Sequence, residues 1–323
     1  MTSVATAGGQ IDSSALGRTL MHEHVFVLTP DVQQNHDEWD EQARVADAVE
    51  KLTALKAAGY DTIVDPTVIG LGRYIPRIVT VNDQVDLNII VATGVYTYDT
   101  VPFYFHHKGP ALSPDLPDPM VDMFVRDITE GIPHTDVKAA FLKCAIDHFG
   151  MTKDVERIMH AVAQAHRQTG APITVHTHPD SRTGLDAHKV LADEGVDPTR
   201  VVLGHSGDST DVDHLAELAD LGYTLGMDRF GINVTTPFEA RVDTVAELCR
   251  RGYADRMVLS HDAACYLDWV DQGLKPVVLP DWHYLHIEND VLPALRERGV
   301  TDEQIDQMLV GNPRRYFENV GAY

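Results

Sequence analysis

Cysteine is scarce in this chain. The three residues, Cys144, Cys249 and Cys265, are odd in number and far apart. They make no disulfide framework and fit a reducing compartment, so a cytoplasmic protein is expected. Basic residues are also few: 26 Lys and Arg stand against 49 Asp and Glu, giving a formal charge of −23. Such a chain lacks the clustered cations that phosphate backbones and anionic lipid surfaces require, which argues against nucleic-acid and membrane-surface partners. No apolar stretch reaches the roughly 18 residues that would span a bilayer. The N-terminal MTSVATAGGQIDSS has no basic segment followed by an apolar run, so no signal peptide is expected. Internal repeats, low-complexity tracts and linkers are missing as well. The whole of 1–323 reads as one domain.

What the 323 residues do contain is a recurring alternation. Short apolar runs occur at 18–24 (RTLMHEH), 61–66 (DTIVDP), 88–96 (NIIVATGVY), 138–146 (KAAFLKCAI), 172–178 (PITVHTH), 201–207 (VVLGHSG), 223–228 (YTLGMD) and 257–263 (MVLSHDA). Each is rich in Val, Ile, Leu or Thr, as strands covered on both faces are. Amphipathic stretches lie between them. In 153–166, Val155, Ile158, Met159 and Val162 recur at helical spacing. Thr301 and Gln304, ahead of Ile305, Met308 and Leu309, read as a capping-box helix start. Two stretches, 106–119 and 263–282, read as long loops. Eight strand-like runs, each followed by room for a helix, predict an α/β fold, a (β/α)8 TIM barrel. The steps from Lys143 to His176 and from His176 to His205 are 33 and 29 residues, close to the roughly 30 of one βαβ unit. A doubly wound sheet would place a glycine-rich phosphate loop after its first strand. Histidines stand there instead.

The chain has 17 histidines, and several sit at strand ends. In a strand, residues i and i+2 share a side, so His22 and His24 reach one point while Glu23 faces away. Alone, such a pair reads as two partly exposed histidines at a strand end. However, His176 and His178 end the fifth run, His205 the sixth, and His261 with Asp262 the eighth, and a barrel brings all its strand ends to one rim. His and carboxylate donors at such positions suit a divalent transition metal, zinc foremost, with cobalt, iron or manganese as alternatives. Lys143 lies within FLKCAI, apolar on both sides. A buried lysine gives up its proton readily. The neutral amine can then add carbon dioxide, and the resulting carbamate is an anionic ligand with two oxygens, able to bridge two ions roughly 3.5–4 Å apart that share a hydroxide. Spacing does not separate His176 from His178 as the ligand. His261 is turned away by alternation, and the remaining histidines read as solvated or helical.

Taken together, MHEH (21–24), DPTVIGLGR (65–73), VATGVY (91–96), FLKCAIDHFGMTKDVE (141–156), TGLDAHKVLADEGVD (183–197), GHSGDSTDVDHL (204–215), GMDRFG (226–231) and LSHD (259–262) resemble the phosphotriesterase family of the amidohydrolase superfamily, in its lactonase branch. The resemblance runs from 17 to 317. It implies a two-metal barrel hydrolase: His22, His24 and Asp262 on the more buried ion, His176 and His205 on the more exposed one, and carbamylated Lys143 between them. It assigns the ligand role to His176, and His178 is a departure from the family. It also implies a homodimer.

The resemblance further implies an activity. A bridging hydroxide attacks a lactone carbonyl, the exposed ion polarises the carbonyl oxygen, and Asp262 passes the proton to the leaving alkoxide. Tyr96 holds the place of a tyrosine typical of the lactonase branch, Arg229 orders the mouth, and Trp269 lines an apolar channel. N-acyl-homoserine lactones are the expected small-molecule substrates, so the reaction would silence quorum-sensing signals, with organophosphate triesters as slower ones. The alternatives are a dedicated phosphotriesterase and a non-catalytic metal-binding sensor.

Overall fold

A computed structural model describes residues 2–35, 39–318 and 321–323. The chain opens with an antiparallel hairpin, β1 (Ser3–Thr6) and β2 (Gly9–Asp12). Ala7 of the hairpin turn donates to Ile89 O at 2.7 Å and so caps the entry end of a large parallel sheet. That sheet consists of β3 (Thr19–Leu20), β5 (Thr62–Asp65), β6 (Asn88–Gly94), β7 (Phe141–Ala145), β8 (Ile173–His176), β9 (Val201–Gly204), β10 (Thr224–Met227) and β11 (Met257–Leu259) in consecutive order, every pairing parallel. β4 (His24–Val27) continues the direction of β3, and β12 (Ala264–Leu267) that of β11. β4 and β12 pair in parallel with each other.

The ring closes where these two interrupted strands meet. Asp262 N donates to His22 O at 3.0 Å and His24 N to Ala263 O at 2.8 Å, while on the other side Glu23 N reaches Val64 O at 3.0 Å. The fold is a (β/α)8 barrel, as the eight apolar runs predict. The strand residues of β4, β5, β7, β8, β9 and β10 are buried throughout, because barrel neighbours cover one face and helices the other.

The helices follow from local chemistry. In Lys153–Thr169, Thr152 caps the N-terminus by accepting from Val155 N, Asp154 and Glu156 occupy the first turn, and Gly170 ends the helix at φ 74°. Its apolar stripe buries Val155, Ile158, Met159 and Val162, each worth about 1.5–3 kcal/mol. The helix outruns the expected 153–166 by three residues. The Thr301–Gln304 capping box is present with both of its hydrogen bonds. Two expectations change. The 263–282 stretch is not all loop: it holds β12 and a short helix, Lys275–Val278. His106, expected to be solvated, is half-buried and bonds Val101 O at 2.9 Å. No helix among the described residues is long and apolar enough to cross a membrane.

Candidate metal centre

All strand ends of a barrel face one rim, and there the structure gathers His22, His24, Lys143, His176, His205 and Asp262 around one cleft of about 220 Å³. One donor atom from each of His22, His205 and Asp262 lies within 4.8 Å of the others. Asp262 Oδ1 stands 3.2 Å from His24 Nε2 and 3.4 Å from His22 Nε2. His205 Nε2 is 2.9 Å from His176 Nδ1. His178 does not join: β8 ends at His176, the backbone turns, and His178 bonds Ser181 Oγ at the rim. His261 is buried and turned away, bonding Glu23 at 2.6 Å and accepting Ile287 N.

Each of the four histidines has one ring nitrogen held from behind, which aims the other inward. Asp228 takes His22 Nδ1 at 2.9 Å with one oxygen, and with the other takes His205 Nδ1 at 3.0 Å and His205 N at 2.7 Å. Thr67 Oγ1 meets His24 Nδ1 at 2.7 Å, and Thr67 in turn bonds Asp65. Asp147 meets His176 Nε2. Ligating histidines are oriented in this way in metal sites, the outer partner fixing tautomer and ring angle. Asp228, Thr67, Asp65 and Asp147 escaped the sequence reading. Asp228 precedes Arg229 in GMDRFG and Asp147 follows Lys143 by four residues, so proximity to a ligand strand was the one available signal.

The electrostatics fit cations. Burial lowers His22 and His205 below the ordinary histidine range, and takes His176 down to about 4, so all three present neutral nitrogens. At His24 burial is outweighed by Asp262 and Asp65, which push it up to about 9, so this corner demands positive charge. Burial of Asp262 is likewise outweighed, by His22 and His205 first, and its carboxyl lies well below the usual range. Lys143 is 1 % exposed, and its Nζ has no hydrogen-bond partner among the described residues. Burial pulls it down to about 8, against the attraction of Asp262 and Asp228. A bare ammonium there would leave three donors unpaired, whereas a carbamate would turn the position into an oxygen ligand. The donor set of imidazoles, a carboxylate and this lysine therefore fits two divalent cations.

Two of the gathered residues adopt left-handed backbone conformations: His205 at φ 65° and Asp262 at φ 56°. Non-glycine residues rarely take such angles, and they persist where surrounding bonds enforce them. Arg229 Nε donates to Asp262 Oδ2 at 3.0 Å and its Nη1 to Asp208 Oδ2 at 2.9 Å. Tyr96 donates to Tyr98 Oη at 2.6 Å and sets its ring edge-on to His176 at 5.3 Å. Trp269, half exposed at the mouth, has its ring 6.3 Å from that of Tyr96. Cys144 and Cys265 are buried, and burial pushes both thiols up to about 12, so neither is a nucleophile.

The sequence profile of the phosphotriesterase family matches residues 2–317. A solved structure of the phosphotriesterase from Mycobacterium tuberculosis is 59% identical and superposes with a TM-score of 0.98 over 99% of this chain and 100% of that one. The aryldialkylphosphatase of Saccharolobus solfataricus is 37% identical over 310 residues, 95% of this chain and 96% of its own. A structure from the engineering of organophosphate hydrolysis on a weak promiscuous lactonase template is 34% identical, with a TM-score of 0.87 over 98% and 100% of the two chains.

Proposed function

The chain belongs to the phosphotriesterase family, whose members are binuclear metal hydrolases, and from that premise we propose that it is a lactonase acting on N-acyl-homoserine lactones. The observation that carries this reading is the placement of Tyr96. Its phenol, tethered by Tyr98, stands beside His176 at the reacting end of a cleft whose further walls are apolar, among them Leu71, Ile232, Leu267 and Trp269. A polar ring with an apolar tail matches that division. A structural relative built on a lactonase template supports the same substrate class.

In this reading His22, His24 and Asp262 would hold one divalent ion and His176 and His205 the other, with carbamylated Lys143 as a ligand they would share and zinc as the first candidate metal. When bound, the two ions supply a water acidified for attack at neutral pH and an electrophilic contact for the carbonyl oxygen. Asp262 takes the proton of the attacking water and delivers it to the alkoxide released as the lactone C–O bond breaks. Arg229 keeps Asp262 ionised and aimed. Tyr96 turns its hydroxyl hydrogen from Tyr98 to the substrate oxygen while Tyr98 donates to Tyr96 Oη in return, and Trp269 shields the tail from water. The hydroxy-acid product no longer signals, so the proposed consequence is quorum quenching. A cytoplasmic location, suggested by three unpaired thiols, and a homodimer, suggested by the family resemblance, are proposals to be checked by fractionation and by light scattering.

A second reading, a dedicated phosphotriesterase, draws on the aryldialkylphosphatase relative. The two are separated by kcat/KM on acyl-homoserine lactones of graded chain length against paraoxon. The lactonase reading expects at least one lactone to be preferred about tenfold or more, a difference of about 1.4 kcal/mol in transition-state binding. Preference for the triester over every lactone overturns it.

A further inference from the structure

Three of the four site histidines are braced by groups sealed inside the barrel: His22 and His205 by Asp228, His24 by Thr67 with Asp65. His176 is braced differently. Its Nε2 faces Oδ2 of Asp147, whose other oxygen takes both the ring Nδ1 of His148 and, at 2.6 Å, the His148 backbone N–H. Asp147 is buried at 7 % exposure, but the His148 side chain is about half exposed at 51 % and rests 5.7 Å from the ring of Tyr98. The bracing of this one ligand therefore reaches the rim of the cleft.

We propose that Asp147 and His148 form a positioning pair dedicated to His176, and that the pair sets the affinity of the more exposed metal position while leaving the buried one alone. The tautomer argument is direct. His176 Nδ1 points inward, 2.9 Å from His205 Nε2, so this nitrogen must carry the lone pair in a metal site and Nε2 must carry the hydrogen. Asp147 is the acceptor for that hydrogen. It blocks both the alternative tautomer and a flip of the ring. Asp147 is aimed in turn by His148, which occupies Oδ1 with two donors and leaves Oδ2 for His176. Among the described residues, neither member of the pair bonds His22, His24 or Asp262, whereas Asp228 touches one histidine from each half of the site.

The inference rests on the metal-centre reading above, and its test separates the two. Protein stripped by chelation is titrated with Co(II) and with Zn(II) against a chromophoric competitor, and the two dissociation constants are resolved for the parent, Asp147→Asn, His148→Ala and Asp228→Asn. Asp147→Asn is expected to weaken one equivalent about 10–100-fold and leave the other within about threefold, the usual cost of an outer-shell loss. His148→Ala, on the rim where folding is not at stake, is expected to weaken the same equivalent by a smaller factor. Asp228→Asn is expected to weaken both. Two ions in the parent with Asp147→Asn and His148→Ala titrating like it, or with both equivalents weakened in parallel, overturns the inference alone. A parent that takes up fewer than two ions removes the metal-centre reading and this inference with it.

Discussion

The carboxylate of Glu23 straddles Asp262. Its Oε1 accepts from the backbone N–H of His261 and from Ser260 Oγ, both at 2.8 Å, and its Oε2 accepts from Ala263 N at 2.9 Å. Asp262 between them is held at φ 56°, and its own N–H is fixed by His22 O. The middle residue of the His-x-His pair, which points away from the cleft, thus clamps both flanks of the proposed acid–base group. Glu23→Ala would leave several buried donors without an acceptor, each costing about 1–3 kcal/mol. The expected result is a loss of roughly 3 kcal/mol or more in urea unfolding, and a fall in kcat that exceeds any rise in KM. Unchanged stability and kcat would show that the backbone holds Asp262 without this clamp.

Lys143 is the position where stability and function should part. Its amine is sealed without a hydrogen-bond partner among the described residues, so Lys143→Met removes a costly polar group while preserving packing. The metal-free variant is expected to unfold at the same or higher urea concentration than the metal-free parent. Its metal content, by elemental analysis after dialysis, is expected to fall below two per chain, with hydrolysis lost. A variant that retains two ions and full turnover would refute the bridging role.

The strand ends carried most of what was legible in advance. His22, His24, Lys143, His176, His205 and Asp262 sit in short apolar runs whose period and spacing reveal the barrel, and a barrel supplies the convergence. What escaped depends on contacts between strands. Asp228 reaches His22 across the barrel and His205 on a neighbouring strand, a geometry that the sequence around GMDRFG does not encode locally. β12 escaped because the last barrel strand breaks at 260–263 to present Asp262, so the run that resumes beyond resembles a loop. His176 and His178 were inseparable by alternation, and the end of β8 at His176 decides between them.

The Tyr96–Tyr98 pair gives a graded test of the substrate wall. Tyr98 Oη is the one side-chain hydrogen-bond partner of Tyr96 Oη among the described residues, and the Tyr98 ring also leans on His176 at 5.6 Å. Tyr98→Phe removes the tether and keeps the ring, so the loss should match one neutral hydrogen bond of about 0.5–1.5 kcal/mol, or about two- to tenfold in kcat/KM for a lactone. Tyr96→Phe is expected to cost at least as much. If Tyr98→Phe is silent while Tyr96→Phe is not, Tyr96 needs no tether.

Far from the cleft, His166 ties acid sensitivity to one buried ring. It lies on Lys153–Thr169, wholly buried, with Nδ1 2.7 Å from Ala171 O and Nε2 2.7 Å from Tyr323 Oη. Burial lowers its pKa below the unfolded value of about 6.5, the hydrogen bond to Ala171 O opposing and the Arg200 charge assisting. The fold thus binds the neutral ring, while the unfolded chain takes up a proton below about pH 6.5. Its contribution is therefore complete above that pH and declines as the pH falls through and below it. Urea unfolding of metal-free protein at pH 8, 6.5 and 5.5 is expected to show falling stability. Metal-free His166→Gln should be less stable at pH 8 yet lose less on acidification, so the two curves converge as pH drops. Parallel curves for parent and variant would place the acid sensitivity elsewhere, with the cleft histidines His22, His176 and His205 and the buried His286, whose pKa values burial also lowers, next in line.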